Sequence, residues 1–503
     1  MSCCGNRRPE IRVSGRTRGI AAKFADSLPA LNLFTIEGWQ TPPSSSAPPI
    51  PACAELWAAG AAALDRLAPG RHPLYKRAQT VHALKMISAK ALFRSAAIQS
   101  LTGWERLRTG VSYFPLDDTF QQNPFPTYAR LRRKDPVHWS PTVNAWVLSL
   151  YEDVDATLRD FKRFANDSRK TRGEPPPGEA PEAPSMLSLD PPDHTRMRAL
   201  VSKAFTPRAV RAMEPRIEEL VHELLGELPE GEPVDIIAGL AYPLPVIVIA
   251  EMIGVLPEDR DRFKRWSDVM ARTLEPTITR EELSEAMDAR DELIEYFRAV
   301  IEERRKNPRE DLVSSLVAAE EEGDRLSEAE MYSTLILLLV AGNETTTNLI
   351  GNGLLALLRH PDQYQLLRDD ASLTESAVEE MLRYDSPVQT DARFVLEDVE
   401  LRGKVLRRGD QVLQLIGSAN RDPRVFPEPR KLDITREENN HLAFGRGIHH
   451  CLGAPLARME GRIAFRALAD RYPRIALADP APRFRDQVVL RGLEALPVVL
   501  HRA

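Results

Sequence analysis

From about Val111 onward the apolar positions recur three and four residues apart, the spacing of amphipathic helices, and they alternate in only a few short stretches. Three helix starts are marked chemically: Thr206-Pro207 by an N-cap and a first-turn proline, Thr279-x-x-Glu282 and Ser327-x-x-Glu330 by capping boxes. The helix from Ser327 runs to about His360, ahead of Pro361. It is apolar from Leu335 to Val340, polar from Asn343 to Asn348, then apolar again. Buried polar groups without partners cost about 1–3 kcal/mol each, so this interruption needs a reason. A helix from Thr374 to Tyr384 ends at Ser386-Pro387. Period-two stretches come next at Val388–Leu396, Val399–Leu401 and Gln411–Ile416, with Arg402-Gly403 and Arg408-Gly409-Asp410 as turns. A last helix spans about Leu452 to Arg471. The pattern predicts a mainly α protein with smaller β-sheets (α+β). The Pro-dense segment Glu174–Pro192 is expected to be an exposed, mobile loop.

The first 110 residues differ: they hold 15 Lys/Arg against 6 Asp/Glu, are rich in Ala, and include the Pro/Ser tract Thr41–Pro49, which reads as a linker. Residues 1–110 are therefore set apart as a basic N-terminal extension and 111–503 as one large domain. Tyr75 to Arg108 fits basic amphipathic helices. Three accounts stand for them: a peripheral membrane or partner contact, a targeting segment, or a start codon assigned too early, the next methionine being Met86. At 503 residues, 43% hydrophobic and 28% charged, the chain is globular. The net charge of −6 leaves −15 on the body, which disfavours nucleic acid as a partner. Four cysteines, three of them before residue 54, point to a reducing compartment. The uncharged apolar stretch Ile236–Ala250 is broken by Pro243 and Pro245 and falls short of the roughly 20 residues of a membrane helix. A soluble, cytoplasmic monomer is expected.

The richest chemistry lies in Phe444-Gly445-Arg446-Gly447-Ile448-His449-His450-Cys451-Leu452-Gly453. It puts the one cysteine of the body at a helix N-terminus, where amide N–H groups and the helix dipole favour a thiolate, and a thiolate is a metal ligand. The glycines let backbone approach a flat partner, with Phe444 packing on its face. A lone cysteine is more often inert and buried, and this setting shifts that balance. A zinc site at His449-His450-Cys451 lacks further ligands at workable spacing.

Phe444-x-x-Gly447-x-x-x-Cys451-x-Gly453 resembles the haem-binding signature of the cytochrome P-450 family, soluble bacterial type. Three further motifs keep the family's order: Ala341–Thr346 is similar to its oxygen-binding motif, Glu380-x-x-Arg383 to its buried ion pair, and Asp190–Arg198 to its haem-contacting helix. The resemblance covers roughly residues 111–503. It implies haem b (iron protoporphyrin IX) between the long helix and the cysteine loop, with Cys451 as the iron ligand and dioxygen as co-substrate. It places Ala341, Phe444, Gly445, Gly447 and Gly453 against the haem and His194, Arg198, Arg393 and His449 on its propionates. Glu344 and Thr345 become a proton relay, Glu344 leading to solvent; for Thr345 the plainer reading is a bond back to the carbonyl four residues earlier. Glu380 and Arg383 become a structural pair bonded to the Asn420–Arg430 loop, although such pairs are usually at the surface. Arg446 and His450 depart from the family pattern.

The resemblance further implies a monooxygenase acting on an apolar small molecule, with electrons from a separate ferredoxin or flavodoxin and its NAD(P)H-dependent reductase, because no dinucleotide fingerprint comes after a strand. A basic docking patch of Arg196, Lys203, Arg458 and Arg462 is expected. The alternatives are a peroxide-dependent or isomerase-type haem-thiolate enzyme, disfavoured by the intact Glu344-Thr345, and a non-enzymatic gas-binding haem protein. The substrate chamber is expected to be lined by parts of 174–190, the helices at about 257–305, Leu337–Gly342, Val388–Thr390 and a turn near Val488–Leu493.

Overall fold

The computed structural model describes residues 98–173, 183–256, 259–321 and 326–502. The linker tract, Cys3, Cys4, Cys53 and most of the stretch from Tyr75 to Arg108 lie outside the described residues. The compact main unit begins at Leu101, ten residues before the composition boundary. Residues 101–109 are helical, and Glu105 is buried on that helix, accepting from the Tyr113 amide (3.1 Å) and touching His138 Nε2 (2.5 Å).

A five-stranded sheet packs at one side of the helices. It holds β1 (Val137–Ser140), β2 (Ala145–Leu148), β3 (Phe164–Ala165), β5 (Thr390–Val395) and β8 (Gln411–Leu415) in the order β1-β2-β8-β5-β3. Only the β2–β8 pairing is parallel. α1 (Tyr151–Arg159) comes after β2. β4 (Pro233–Asp235), β9 (Arg474–Leu477) and β10 (Pro497–His501) form a second sheet, and β6 (Val399–Leu401) and β7 (Lys404–Leu406) a hairpin. Alternation along β5 turns Arg393 inward together with Val395, so a strand position carries a buried cation.

The helical part contains α2 (Asp193–Ser202), α3 (Pro207–Ala212), α4 (Glu214–Glu227), α5 (Pro243–Ile253), α6 (Arg260–Ala271), α7 (Arg280–Lys306), α8 (Glu328–Arg359), α9 (Thr374–Tyr384) and α10 (Ala454–Arg471). The cap signals are where the sequence puts them. Thr206 Oγ1 accepts from Ala209 N, and Thr279 and Ser327 each form both halves of a capping box. α8 runs through the middle, with Leu335, Leu339, Ile350 and Leu354 fully buried. In its polar stretch Asn343 donates to Ser267 Oγ on α6 (2.8 Å), whereas Asn348 Nδ2 is buried without a hydrogen-bond partner among the described residues; one turn further on Asn352 donates to the Arg491 carbonyl (2.8 Å). At Gly353 a Cβ would lie 2.6 Å from Phe465 and 2.7 Å from Met381, so α8, α9 and α10 meet there closer than any side chain allows.

The Pro-dense segment departs from expectation. Residues 174–182 lie outside the described residues, but Met186, Leu189 and Asp190 are buried, and Asp190 accepts from the Asn166 and Asp167 amides. That half of the segment is anchored at these residues, while Leu187, Ser188 and Pro192 are exposed as expected. Among the described residues no helix is long and apolar enough to cross a membrane.

Candidate active site

Cys451 stands three residues before α10, and its amide donates to the Phe444 carbonyl (2.9 Å), closing the loop on itself. Gly445 and Gly447 have φ of +65° and +70°. A Cβ at 447 would sit 2.7 Å from the Leu158 carbonyl oxygen. Gly447 is therefore required by the backbone of α1 passing behind the loop, whereas the sequence pattern ascribes the glycines to a flat ligand. Phe444 is half-buried, with the Arg458 guanidinium 4.5 Å from its ring centre.

Cys451 is exposed and is the free cysteine among the described residues. Desolvation on its protein side pushes the thiol pKa up, and the Gly453 and Ala454 amides only partly offset this. The helix-terminus argument thus has the right sign but the smaller size, and the loop alone favours the thiol. A bound metal ion is what removes such a proton.

Beside the cysteine, Arg198 donates to the His450 carbonyl (2.5 Å), and the His194 and His449 rings lie 4.1 Å apart. His194 is 2% exposed, yet neither of its ring nitrogens, nor His449 Nε2, has a hydrogen-bond partner among the described residues. Burial, then the neighbouring His194 and Arg393, push His449 down to about 3. Arg393 is buried, with Nη1 held by Asp391 (2.8 Å) and the Ala392 carbonyl (2.7 Å). Two cations and two uncharged imidazoles thus meet beside Cys451 with donor capacity unused. A ligand bearing carboxylates satisfies those nitrogens, so these residues fit a haem with its propionates.

On α8, Ala341 is exposed between buried Val340 and Asn343, so the helix is uncovered there. Thr345 Oγ1 donates to the Ala341 carbonyl (2.7 Å), the plainer of the two expected bonds, which leaves its lone pairs free to accept. Glu344 is 7% exposed and Oε1 accepts from Arg485 Nη1 (3.1 Å) and Gln487 Nε2 (2.6 Å). The expected opening of Glu344 to solvent is corrected: the C-terminal segment covers and binds it.

Glu380 and Arg383 are 0% and 1% exposed. They pair through two bonds (2.7 and 2.8 Å), and Arg383 also donates to the carbonyls of Asn420, Pro429 and Lys431. Sequence reasoning missed that Glu380 also binds Arg436 (3.0 Å), Asn439 (3.2 Å) and the Asp433 amide (2.9 Å), all on an irregular loop without periodicity to flag them. It also missed Glu379, which the guanidinium of Arg458 (2.6 and 2.9 Å) and His441 (3.0 Å) hold down at about 2 against the upward pull of burial. The basic patch is corrected too. Arg458 is spent on Glu379, Arg196 pairs with Glu330 and Arg462 with Glu214, and of the four Lys203 is exposed with no ion pair among the described residues.

Residues 137–473 match the family model of cytochrome P450 (P-450). The chain belongs to the cytochrome P-450 family. This P-450 is 43% identical over 408 residues to the polyketide biosynthesis cytochrome PksS of Bacillus subtilis, covering 78% of this chain and 99% of that relative. It is 45% identical to a vitamin D(3) 25-hydroxylase of Pseudonocardia autotrophica, over 76% of this chain and 95% of that one. Among solved structures, P-450 BioI bound to an acyl carrier protein bearing hexadec-9Z-enoic acid superposes with a TM-score of 0.72 at 39% identity, covering 76% of this chain and 99% of that one. CYP109E1 of Bacillus megaterium with testosterone superposes at 0.70 and 41%, covering 76% and 100%. P-450 enzymes of this kind are haem-thiolate monooxygenases.

Proposed function

We propose that this P-450 inserts one oxygen atom from dioxygen into a C–H or C=C bond of an apolar small molecule, with electrons from a separate ferredoxin or flavodoxin and its NAD(P)H-dependent reductase. The observation that carries the site assignment is the set of partnerless nitrogens on His194 and His449 beside Cys451. Cys451 would hold the iron, and Arg198, His194, His449 and Arg393 would receive the propionates. Ala341, Phe444 and the loop through Gly445, Gly447 and Gly453 would line the porphyrin. When bound, the haem iron supplies dioxygen binding and cleavage, which a thiolate ligand promotes.

The chain's own part is positioning and proton supply. Thr345, its hydrogen committed to Ala341, presents lone pairs on the uncovered part of α8 and accepts a proton-carrying partner there. Glu344 is the adjacent acid, its orientation fixed by Arg485 and Gln487. Of the α8 positions expected to line the chamber, Leu337, Ala341 and Gly342 are not fully buried; of the Val488–Leu493 turn only Val489 is half-buried and the rest is packed inside. Small, apolar openings of this kind take an apolar substrate and exclude water from it.

The test is the reduced carbonyl spectrum of the purified chain. A thiolate-ligated band that Cys451→Ser removes supports the assignment; protein without haem, or a spectrum indifferent to that change, ends it. Testosterone and hexadec-9Z-enoic acid are the first probes for displacement of iron-bound water. Product formed with the ferredoxin system, and not with hydrogen peroxide alone, separates the monooxygenase from a peroxide-dependent enzyme.

A further inference from the structure

Glu275 lies in the connection between α6 and α7 and is 5% exposed. Its carboxylate accepts three successive backbone N–H groups from one turn: Val488 (2.7 Å) and Val489 (3.1 Å) at Oε2, Leu490 (2.8 Å) at Oε1. The same turn sends Arg485 and Gln487 to Glu344. On its other side it is fixed to the segment before β5, where the Gln389 amide donates to the Val489 carbonyl (2.8 Å) and the Arg491 amide to Pro387 (2.8 Å). Residues 485–490 therefore tie together two carboxylates from separate elements, one on the α6–α7 connection and one on α8. A loop staple alone requires only the three amides; Gln487, one residue before them, makes the staple continuous with Glu344.

We propose that Glu275 is a positioning residue for proton delivery: seated on the 485–490 turn, it keeps Arg485 and Gln487 on Glu344, so the relay acid is fixed only while the α6–α7 connection is closed. This rests on the relay role proposed for Glu344. Lifting the connection releases three amides at once, the turn loosens, and the Glu344 carboxylate loses the two donors that orient it. With proton delivery impaired, reduced dioxygen leaves as hydrogen peroxide, which takes two electrons and two protons, rather than as water, which takes four of each; the ferredoxin system supplies the electrons. Closure of the α6–α7 connection and readiness of the acid become one event.

The experiment uses the haem-loaded full chain with a plant-type ferredoxin and its reductase, without substrate. Glu275→Gln is expected to speed amide exchange at Val488–Leu490 at least tenfold and to raise the peroxide released per dioxygen consumed severalfold, while Glu275→Asp, which keeps the carboxylate, returns both to within about twofold of the parent. Added to Glu344→Gln, it should raise the peroxide no further. Gln487→Ala leaves the Glu275 contacts in place and is expected to raise peroxide without changing exchange at 488–490. Faster exchange with an unchanged peroxide fraction overturns the coupling and leaves the Glu344 reading standing. Unchanged exchange in Glu275→Gln overturns the anchoring. A peroxide fraction indifferent to Glu344→Gln overturns the relay reading itself, and this proposal with it.

Discussion

Replacing Glu380 by glutamine preserves its shape and removes one negative charge from between two guanidiniums. Both Glu380 and Arg383 are fully buried, and Arg436 nearly so. The carboxylate accepts five hydrogen bonds, two from Arg383, one each from Arg436, Asn439 and the Asp433 amide. A glutamine offers one oxygen, and its NH2 would face donors, so at least two of the five are stranded. Breaking a buried pair by removing one partner costs about 3–5 kcal/mol, and the stranded donors are part of that figure rather than added to it. Arg383 keeps its three carbonyls at 420, 429 and 431, which places the cost in the lower half of the range. For a unit of about 400 residues, unfolding entropy is roughly 0.85 kcal/mol per kelvin, so a cost of about 3–4 kcal/mol lowers the melting temperature by about 4–5 °C. The assay is thermal unfolding at matched haem occupancy, with haem loss tracked in parallel, since Asn420 also accepts the Leu442 amide at the start of the cysteine loop. A variant melting within 1 °C of the parent with its haem retained would refute the reasoning.

Other expectations differ in kind. Gly447→Ala places a Cβ against the α1 backbone at a positive φ; it is expected to cost about 1–3 kcal/mol and to lower haem retention, checked by reconstitution titration. His194→Phe removes two buried nitrogens without partners, so the haem-free protein should become more stable by about 1–3 kcal/mol while haem binds more weakly; parallel losses in both would refute it. Glu460, buried on α10, has its carboxyl raised by desolvation to about 8. Its folded pKa exceeds the unfolded value, so the stability it contributes is complete below about pH 4.5 and declines up to about pH 8, by roughly 1.4 kcal/mol per unit at most. Glu460→Gln should therefore gain on the parent as denaturant melts are moved from pH 5 to pH 8, and an equal offset at both values would contradict it.

Much of the helical frame was legible because caps, prolines and apolar spacing act within a few residues: the start of α7 is set by Thr279 and the bounds of α8 by Ser327 and Pro361. The residue types of the site were legible too, since Phe444 to Gly453 and Ala341 to Thr346 are contiguous runs. What escaped are groups whose meaning depends on a partner far along the chain. Glu344 looks like an acid open to solvent until Arg485 and Gln487, some 140 residues later, close on it. Arg458 and Arg462 look like a docking surface until Glu379 and Glu214 neutralise them.

By itself the order of residues determined the helices, the short strands, the cysteine bearing the chemistry and the acid–alcohol pair on the long helix, because each rests on local backbone geometry or on one side chain's intrinsic reactivity. Only the tertiary structure decided which charges are spent on one another, that desolvation outweighs the helix terminus at Cys451, that Gly447 answers to α1, and that both His194 nitrogens and His449 Nε2 lack hydrogen-bond partners among the described residues. Desolvation and Coulomb attraction depend on distance in space and on surrounding atoms, and neither is set by separation along the chain.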